Sequence, residues 1–291
     1  MEPESRSYQS GRINLRYLVW GDESKPPLIL IHGTRDHARS WEPTARALVD
    51  RYAVYAPDLR GHGDSDWAEG GTYSIIDYAL DIHALGDAIG RSPYVIIGHS
   101  LGGGVGLQYA GAFPELVTKI VSVEGLGGLQ WAAYRRRPAH VRMRAWVESM
   151  RALEKRTPRV YPDFEAAATR MIEANSHLGH DMALYLTRTG TREVEGGLAW
   201  KFDNFTRSGS PYEFNMEDAR DLWNQIRCPV LIISGKDGWG SRDVEPDFSA
   251  FHDYRHVEVE DAGHWVQHDQ FDVFIKLIDD FLDEPSDAGI G

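Results

Sequence analysis

The chain has 291 residues, room for one large α/β domain, and its 42% hydrophobic and 26% charged content is that of an ordinary globular protein. A net charge of −13 argues against general affinity for nucleic acid, and no run approaches the roughly 20 apolar residues of a membrane-spanning helix. The single cysteine, Cys228, excludes an internal disulfide, and the polar start "MEPESRSYQS" lacks the apolar core of a secretory signal, so the cytoplasm is the expected compartment.

Taken in chain order, Ile13, Leu15, Tyr17 and Val19 alternate with more polar positions, as in a half-buried strand. Short apolar runs follow: "LILI" at 28–31, "AVYA" at 53–56, "YVII" at 94–97, "IVSV" at 120–123 and "VLII" at 230–233, with "RHVEVE" at 255–260 as a weaker last strand. Between them "SWEPTARALVD", "IDYALDIHALGDAIG" and "GVGLQYAGAF" carry helix-spaced apolar residues, and "FDVFIKLIDDFL" closes the series with Phe271, Phe274, Ile275, Ile278 and Leu282 on one stripe. Apolar runs alternating with amphipathic helices predict a mostly parallel sheet flanked by helices. In such a sheet ligands bind at the carboxyl ends of the strands. The rhythm breaks over 129–216, which is rich in Arg, Ala, Met and aromatics and shows no clear strand. That stretch is expected to be a helical insertion in a core made of 1–128 and 217–291.

"GHSLG" at 98–102 fits G-x-S-x-G between a strand and a helix, with further glycines at 103, 104 and 106. Glycine inside a helix costs roughly 1 kcal/mol relative to alanine, so this crowding implies a very sharp turn or a very close backbone approach. The pattern reads as a nucleophile elbow that lifts Ser100 above the sheet edge, with the first N–H groups of the helix aimed at the same spot. Neither G-x-x-x-x-G-K-[ST] nor G-x-G-x-x-G is present here, which removes the phosphate-cradling alternatives.

With "LILIHGTRDHARSW", "APDLRGHGDSD" at 56–66, "GHSLGGG" and "EDAGHWVQHDQ" at 260–270 in view, the chain resembles the α/β-hydrolase fold superfamily over nearly its whole length. The resemblance implies a helical cap, here 129–216, inserted after the sixth strand. It also implies Ser100 as nucleophile and His264, between the last strand and the last helix, as base. His268 one turn later reads as a surface residue. The backbone amides of Thr34 and Leu101 are the expected oxyanion donors. The acid has two candidates. Most of the family carries it three residues after a Gly behind the strand "VLII", where this chain has Gly238, with Asp237 one residue early. Glu124, behind "IVSV", resembles the acid of a subset that includes some dehalogenases and a mycotoxin lactone hydrolase, and is preferred over Asp237.

Trp131, Trp200 and Trp265 are the leading candidates to line a substrate pocket, with Trp146, Phe202, Phe205 and Trp239 behind them. "HLGHD" at 177–181 is too sparse for a metal site, and neither a metal nor a cofactor is expected. Between Arg135 and Arg159 nine basic residues face only Glu148 and Glu154. A solvated helical face, closure onto an acidic body, or attraction of anionic substrates would each account for them. The expected activity is hydrolysis of a carboxylic ester or lactone through an acyl-enzyme. The expected partner is a small molecule, with no nucleic acid and no membrane. C–C bond hydrolysis of a diketone-type substrate, or a ligand receptor that retains the triad, are the alternatives.

Overall fold

The computed structural model describes residues 2–69, 73–126, 138–210, 216–238 and 247–285. Eight strands form one sheet in the order β1-β2-β4-β3-β5-β6-β9-β10. The strands are β1 Glu4–Ser10, β2 Ile13–Trp20, β3 Pro27–Ile31, β4 Ala53–Pro57, β5 Tyr94–His99, β6 Val117–Val123, β9 Val230–Gly235 and β10 Tyr254–Val259. From β4 to β10 every pairing is parallel, while β1 and β2 add on antiparallel. β3, β4 and β5 are buried at every position, because helices cover both of their faces.

The covering helices are α1 Glu42–Leu48, α2 Ile75–Ile89, α3 Leu101–Ala112, α7 Met216–Trp223, α8 Val266–Asp269 and α9 Phe271–Asp283. Two cores result, one on each face of the sheet. Leu28, Leu30, Val54, Val95, Ile97 and Leu231 pack against Trp41, Leu48, Phe274 and Ile278 on one side. Ile29, Ile31, Tyr55 and Ile96 pack against Ile82, Leu85, Val105 and Leu107 on the other. Each such side chain, fully removed from water, contributes about 1.5–3 kcal/mol. The alternation of neighbours such as Leu28 and Ile29 between the two cores is the period-2 geometry of a strand.

Two elements differ from the sequence reading. β1 was not anticipated, since only Tyr8 and Ser10 of its seven residues are buried. As an edge strand it needs few apolar residues, and charge there discourages pairing with other chains. The region between β6 and α7 is helical in α4 Ala139–Glu154, α5 Phe164–Ala174 and α6 His180–Gly190, but it also holds a hairpin, β7 Thr191–Val194 with β8 Gly197–Trp200. The expectation of no strand there is therefore wrong. Gly196 and Gly197 take positive φ (85° and 141°) in the Glu195-Gly196 loop, which lets two such short strands reverse direction.

The segment 58–66 forms a buried hub beside the carboxyl edge. The Asp58 carboxylate accepts from the amides of Ala38 (2.7 Å) and Asp64 (2.9 Å), and Arg60 makes a two-pronged ion pair with Asp81 at 2.6 and 2.8 Å. The Leu59 amide donates to His32 Nε2 at 3.0 Å, and His32 Nδ1 then donates to the Gly33 carbonyl at 2.7 Å. This chain of bonds anchors the loop that carries Gly33, Thr34 and Arg35 over the sheet.

Candidate active site

Ser100 sits between β5 and α3 with φ 52° and ψ −114°, in the region that favours glycine. A non-glycine residue there costs of order 1–3 kcal/mol and persists only where its surroundings hold it. The surroundings are the glycines. A Cβ on Gly98 would collide with the Gly102 carbonyl, and one on Gly102 would collide with the Ile31 carbonyl of the neighbouring strand. A Cβ on Gly33 would lie 3.2 Å from the Ser100 Cβ. The turn is sharp and the backbones approach closely, so both explanations of the crowding apply. The Ser100 amide is tied to the Val123 carbonyl at 2.7 Å, which fixes the elbow to the end of β6.

Glu124, the next residue after β6, also has positive φ (53°). Its Oε2 lies 3.1 Å from His264 Nδ1, and its Oε1 accepts from the Gly235 amide at 2.9 Å. Both side chains are buried, at 7% and 8% exposure. An ionised carboxylate only accepts hydrogen bonds, so Nδ1 carries the proton and Nε2 is the unprotonated nitrogen of neutral His264. Asp237 turns elsewhere: its carboxylate is 44% exposed and lies 3.5 Å from His177 Nε2. Gly238, which occupies the family's common acid position, accounts for the arrangement. A Cβ there would come 2.5 Å from Glu124 Oε1, so a side chain at 238 and the Glu124 carboxylate compete for one space.

The loop that carries His264 is held from below. The Gly263 amide donates to Asp269 Oδ2 (2.8 Å), and Asn175 Nδ2 donates to Asp269 Oδ1 (2.9 Å), so Asp269 of α8 joins this loop to the insertion. Sequence reasoning missed Asp269. His99 Nε2 donates to the His264 carbonyl at 2.8 Å, and burial, with His264 facing it, holds its pKa well below 6.5. Thr34 lies on the exposed side of its loop and Leu101 is the first residue of α3, where an amide has no acceptor within the helix. Among the described hydrogen bonds the Thr34 amide has no acceptor either.

A cavity of about 390 Å³ opens between this edge of the sheet and the insertion. Thr34, Arg35, Trp265 and His268 line it from the core, and Tyr161, Trp200 and Phe202 from the insertion. Two of the three leading tryptophan candidates, Trp200 and Trp265, are thus in its wall, and Trp265 stands edge-on to His264 with ring centres 5.2 Å apart. Trp131 lies outside the described residues, as do Trp239 and Arg135 to Arg137. Phe205 packs against the core instead. The reading of His268 as a surface residue is corrected: both ring nitrogens are buried without a hydrogen-bond partner, and burial, reinforced by nearby His37, lowers its pKa to about 4. It sits in a short helix folded back under the site, which its spacing from His264 alone did not disclose. His177 and His180 face carboxylates, Asp237 and Glu165 respectively.

Comparison with known proteins agrees with this architecture. The profile of the alpha/beta hydrolase fold matches residues 26–271. The chain belongs to the alpha/beta hydrolase family. An uncharacterized protein of Mycobacterium tuberculosis is 31% identical over 276 residues, covering 91% of this chain and 77% of its own. A 2-(acetamidomethylene)succinate hydrolase of Mesorhizobium japonicum is 28% identical over 288 residues, covering 96% and 95%. The thioesterase domain of the curacin biosynthetic pathway superposes with a TM-score of 0.82 over 96% of this chain and 99% of that one, and at 21% identity it attests the fold. Named relatives of this alpha/beta hydrolase are hydrolases. Among the described residues, no helix is long and apolar enough to cross a membrane.

Proposed function

We propose that the chain is a serine hydrolase that cleaves a carboxylic ester or lactone through an acyl-enzyme, with 129–216 acting as the cap over its pocket. The observation that carries this reading is the strained Ser100 elbow, whose neighbour His99 lies with its ring centre 4.9 Å from that of a buried His264, itself held through Nδ1 at 3.1 Å from Glu124. Ser100 Oγ attacks the substrate carbonyl as its proton passes to His264 Nε2. The Glu124 carboxylate stabilises the imidazolium that forms and keeps its tautomer. The amides of Leu101 and Thr34 receive the negative charge that develops on the carbonyl oxygen, an interaction stronger in the transition state than in the ground state. The tetrahedral intermediate collapses, His264 gives its proton to the departing alkoxide, and water then repeats the sequence on the acyl-enzyme. A serine nucleophile sets this course apart from chemistry that passes through an aspartyl ester. The partner is a small molecule that fits the cavity between core and cap.

The test is labelling by a fluorophosphonate, located by mass spectrometry, followed by turnover of a panel of small esters and lactones. Label on Ser100, with kcat lowered roughly 10³-fold or more in a folded Ser100→Ala variant, is the expected result. Label elsewhere, or ester turnover at wild-type rate by Ser100→Ala, overturns the reading.

A further inference from the structure

The arginines of the cavity have no role in the chemistry just described. Among the described residues five line it: Arg35 from the core loop, and Arg156, Arg159, Arg170 and Arg207 from the insertion. Arg170 is matched by Glu173 at 3.2 Å. Arg159 lies over the Tyr161 ring and Arg207 over the Phe202 ring, at 5.0 and 5.4 Å from the centroids. Among the described residues, none of Arg35, Arg156 and Arg207 forms an ion pair with a carboxylate. Among the described residues the one acid in the lining is Asp36, which accepts from the backbone amide of His37 at 2.8 Å and has its pKa raised by burial.

Several other guanidiniums of the protein are matched by acids. Arg6, Arg39, Arg46, Arg51 and Arg60 are each paired with one or more carboxylates in a chain whose net charge is −13. Acid is plentiful, yet among the described residues Asp36 alone brings a carboxylate to the cavity wall. Arg35, Arg156 and Arg207 also sit close enough to repel one another: burial and the charge of Arg156 lower the pKa of Arg35, and burial with the charges of Arg35 and Arg156 lowers that of Arg207. Arg35 is held in the left-handed region (φ 65°), and it directly follows Thr34 of the oxyanion loop. Three like charges, gathered from sequence-distant elements with no carboxylate partner among the described residues, repel one another. An oxyanion would turn that repulsion into attraction, and guanidinium forks suit carboxylate and phosphate oxygens in two-point contacts.

We propose that Arg35, Arg156 and Arg207 form a subsite for an oxyanionic group of the substrate, a carboxylate or a phosphate, carried on the same molecule as the scissile carbonyl. This deepens the serine hydrolase reading and rests on it. Trp200 and Phe202 in the same wall offer apolar surface for the connecting chain.

The experiment uses the full chain and mono-4-nitrophenyl esters of straight-chain diacids, each beside its methyl ester, which has the same leaving group and no charge. A phosphonate-ended ester of matching length distinguishes phosphate from carboxylate. The expected result is a kcat/KM for one charged ester at least roughly tenfold above its neutral twin, a ratio that falls about tenfold in Arg156→Gln or Arg207→Gln and is partly kept in Arg207→Lys. General damage would lower both esters together and leave the ratio unchanged. A ratio near one in the wild type, or one that the glutamine variants leave alone, overturns the subsite. Should the wild type hydrolyse none of these esters, it is the serine hydrolase reading that fails, and the subsite is judged by binding. Glutarate or inorganic phosphate should then raise the melting temperature of the wild type but not of the Arg156→Gln/Arg207→Gln double variant. Equal shifts, or none in either, overturn it.

Discussion

The elbow and the arginine-lined cavity wall adjoin through the loop that carries Gly33, Thr34 and Arg35, and they are built on opposite principles. Around Ser100 and Glu124 the backbone is closely confined. Glycines at 33, 98, 102 and 238 leave no space, Glu124 is held at both oxygens, and the strained backbones at 100 and 124 are locked by strand-end amides and carbonyls. In the cavity wall, Arg35, Arg156 and Arg207 are exposed, with no carboxylate partner among the described residues. The contrast teaches where a hydrolase can vary. A proton relay tolerates errors of only a few tenths of an ångström, so its geometry is over-determined. A recognition wall can leave charge unmatched until a ligand arrives, and so can be retuned without disturbing the relay.

The largest expected effect tests the over-determined side at its acid. Glu124→Gln keeps the volume but loses the charge, and offers a donor where His264 Nδ1–H needs an acceptor. It should lower kcat roughly 10²–10⁴-fold, as when a triad acid is neutralised. Asp237→Asn removes the charge of a carboxylate that is 44% exposed and faces His177, and should cost at most about tenfold. Steady-state kinetics on one activated ester, with thermal melting to verify folding, decides between them. A crippled Asp237→Asn beside a near-normal Glu124→Gln would reverse the assignment.

A smaller effect is expected at Gly238, where the two strand ends compete. Gly238→Ala places a methyl 2.5 Å from Glu124 Oε1 and 2.9 Å from the Gly235 carbonyl. The carboxylate must shift and weaken one of its two bonds, so kcat should fall by roughly 10–10²-fold with the fold intact, within the range a misplaced catalytic group costs. The converse can be built: Glu124→Gly, which also relieves the positive φ, combined with Gly238→Asp moves the acid to the end of β9. That pair should recover about tenfold over Glu124→Gly alone. A Gly238→Ala enzyme with unchanged kcat would show that the space is not contested.

What was legible in the sequence follows the same division. Doubly covered parallel strands must be apolar at every position, so "LILI" and "YVII" stand out without any partner being known. Close backbone approach leaves its record as glycine, which is why the elbow and the empty position at 238 can be read one residue at a time. β1 was hidden because an edge strand needs little apolar surface, and the 191–200 hairpin because four-residue strands give too short an alternation to register against their helical surroundings. The cavity wall was hidden for a different reason. Arg35 and Arg207 are surface-like residues on separate elements, and only the folded chain brings them to one space, so the basic stretch 135–159 pointed to charge in the insertion but not to which arginines share the site. His268 was misread because its burial comes from tertiary packing of a four-residue helix.

The smallest effect on catalysis, and a direct one on stability, concerns the hub beneath the Thr34 loop. His62 is fully buried, donates from Nδ1 to the Arg60 carbonyl at 2.9 Å, leaves Nε2 without a partner, and has its pKa lowered by burial to about 4. Between about pH 6.5 and pH 4 the unfolded chain binds a proton at this residue and the native chain does not. Stability is therefore complete above about pH 6.5 and drains away as pH falls toward 4, by on the order of 3 kcal/mol for this one group. His32 and His99, also lowered by burial, act in the same direction. Asp58 and Asp81, raised by burial, act in the opposite one, so the wild-type slope alone is not diagnostic. The informative quantity is the difference from His62→Gln, which can still donate to the Arg60 carbonyl but does not titrate. Melting curves at pH 7.5, 6.5, 5.5 and 4.5 should show the variant less stable at pH 7.5 but with a shallower fall, the two proteins converging by roughly 5–10 °C across the window. Parallel curves would mean that His62 does not hold its proton affinity down in the native state, and that the acid sensitivity of the hub comes from another group.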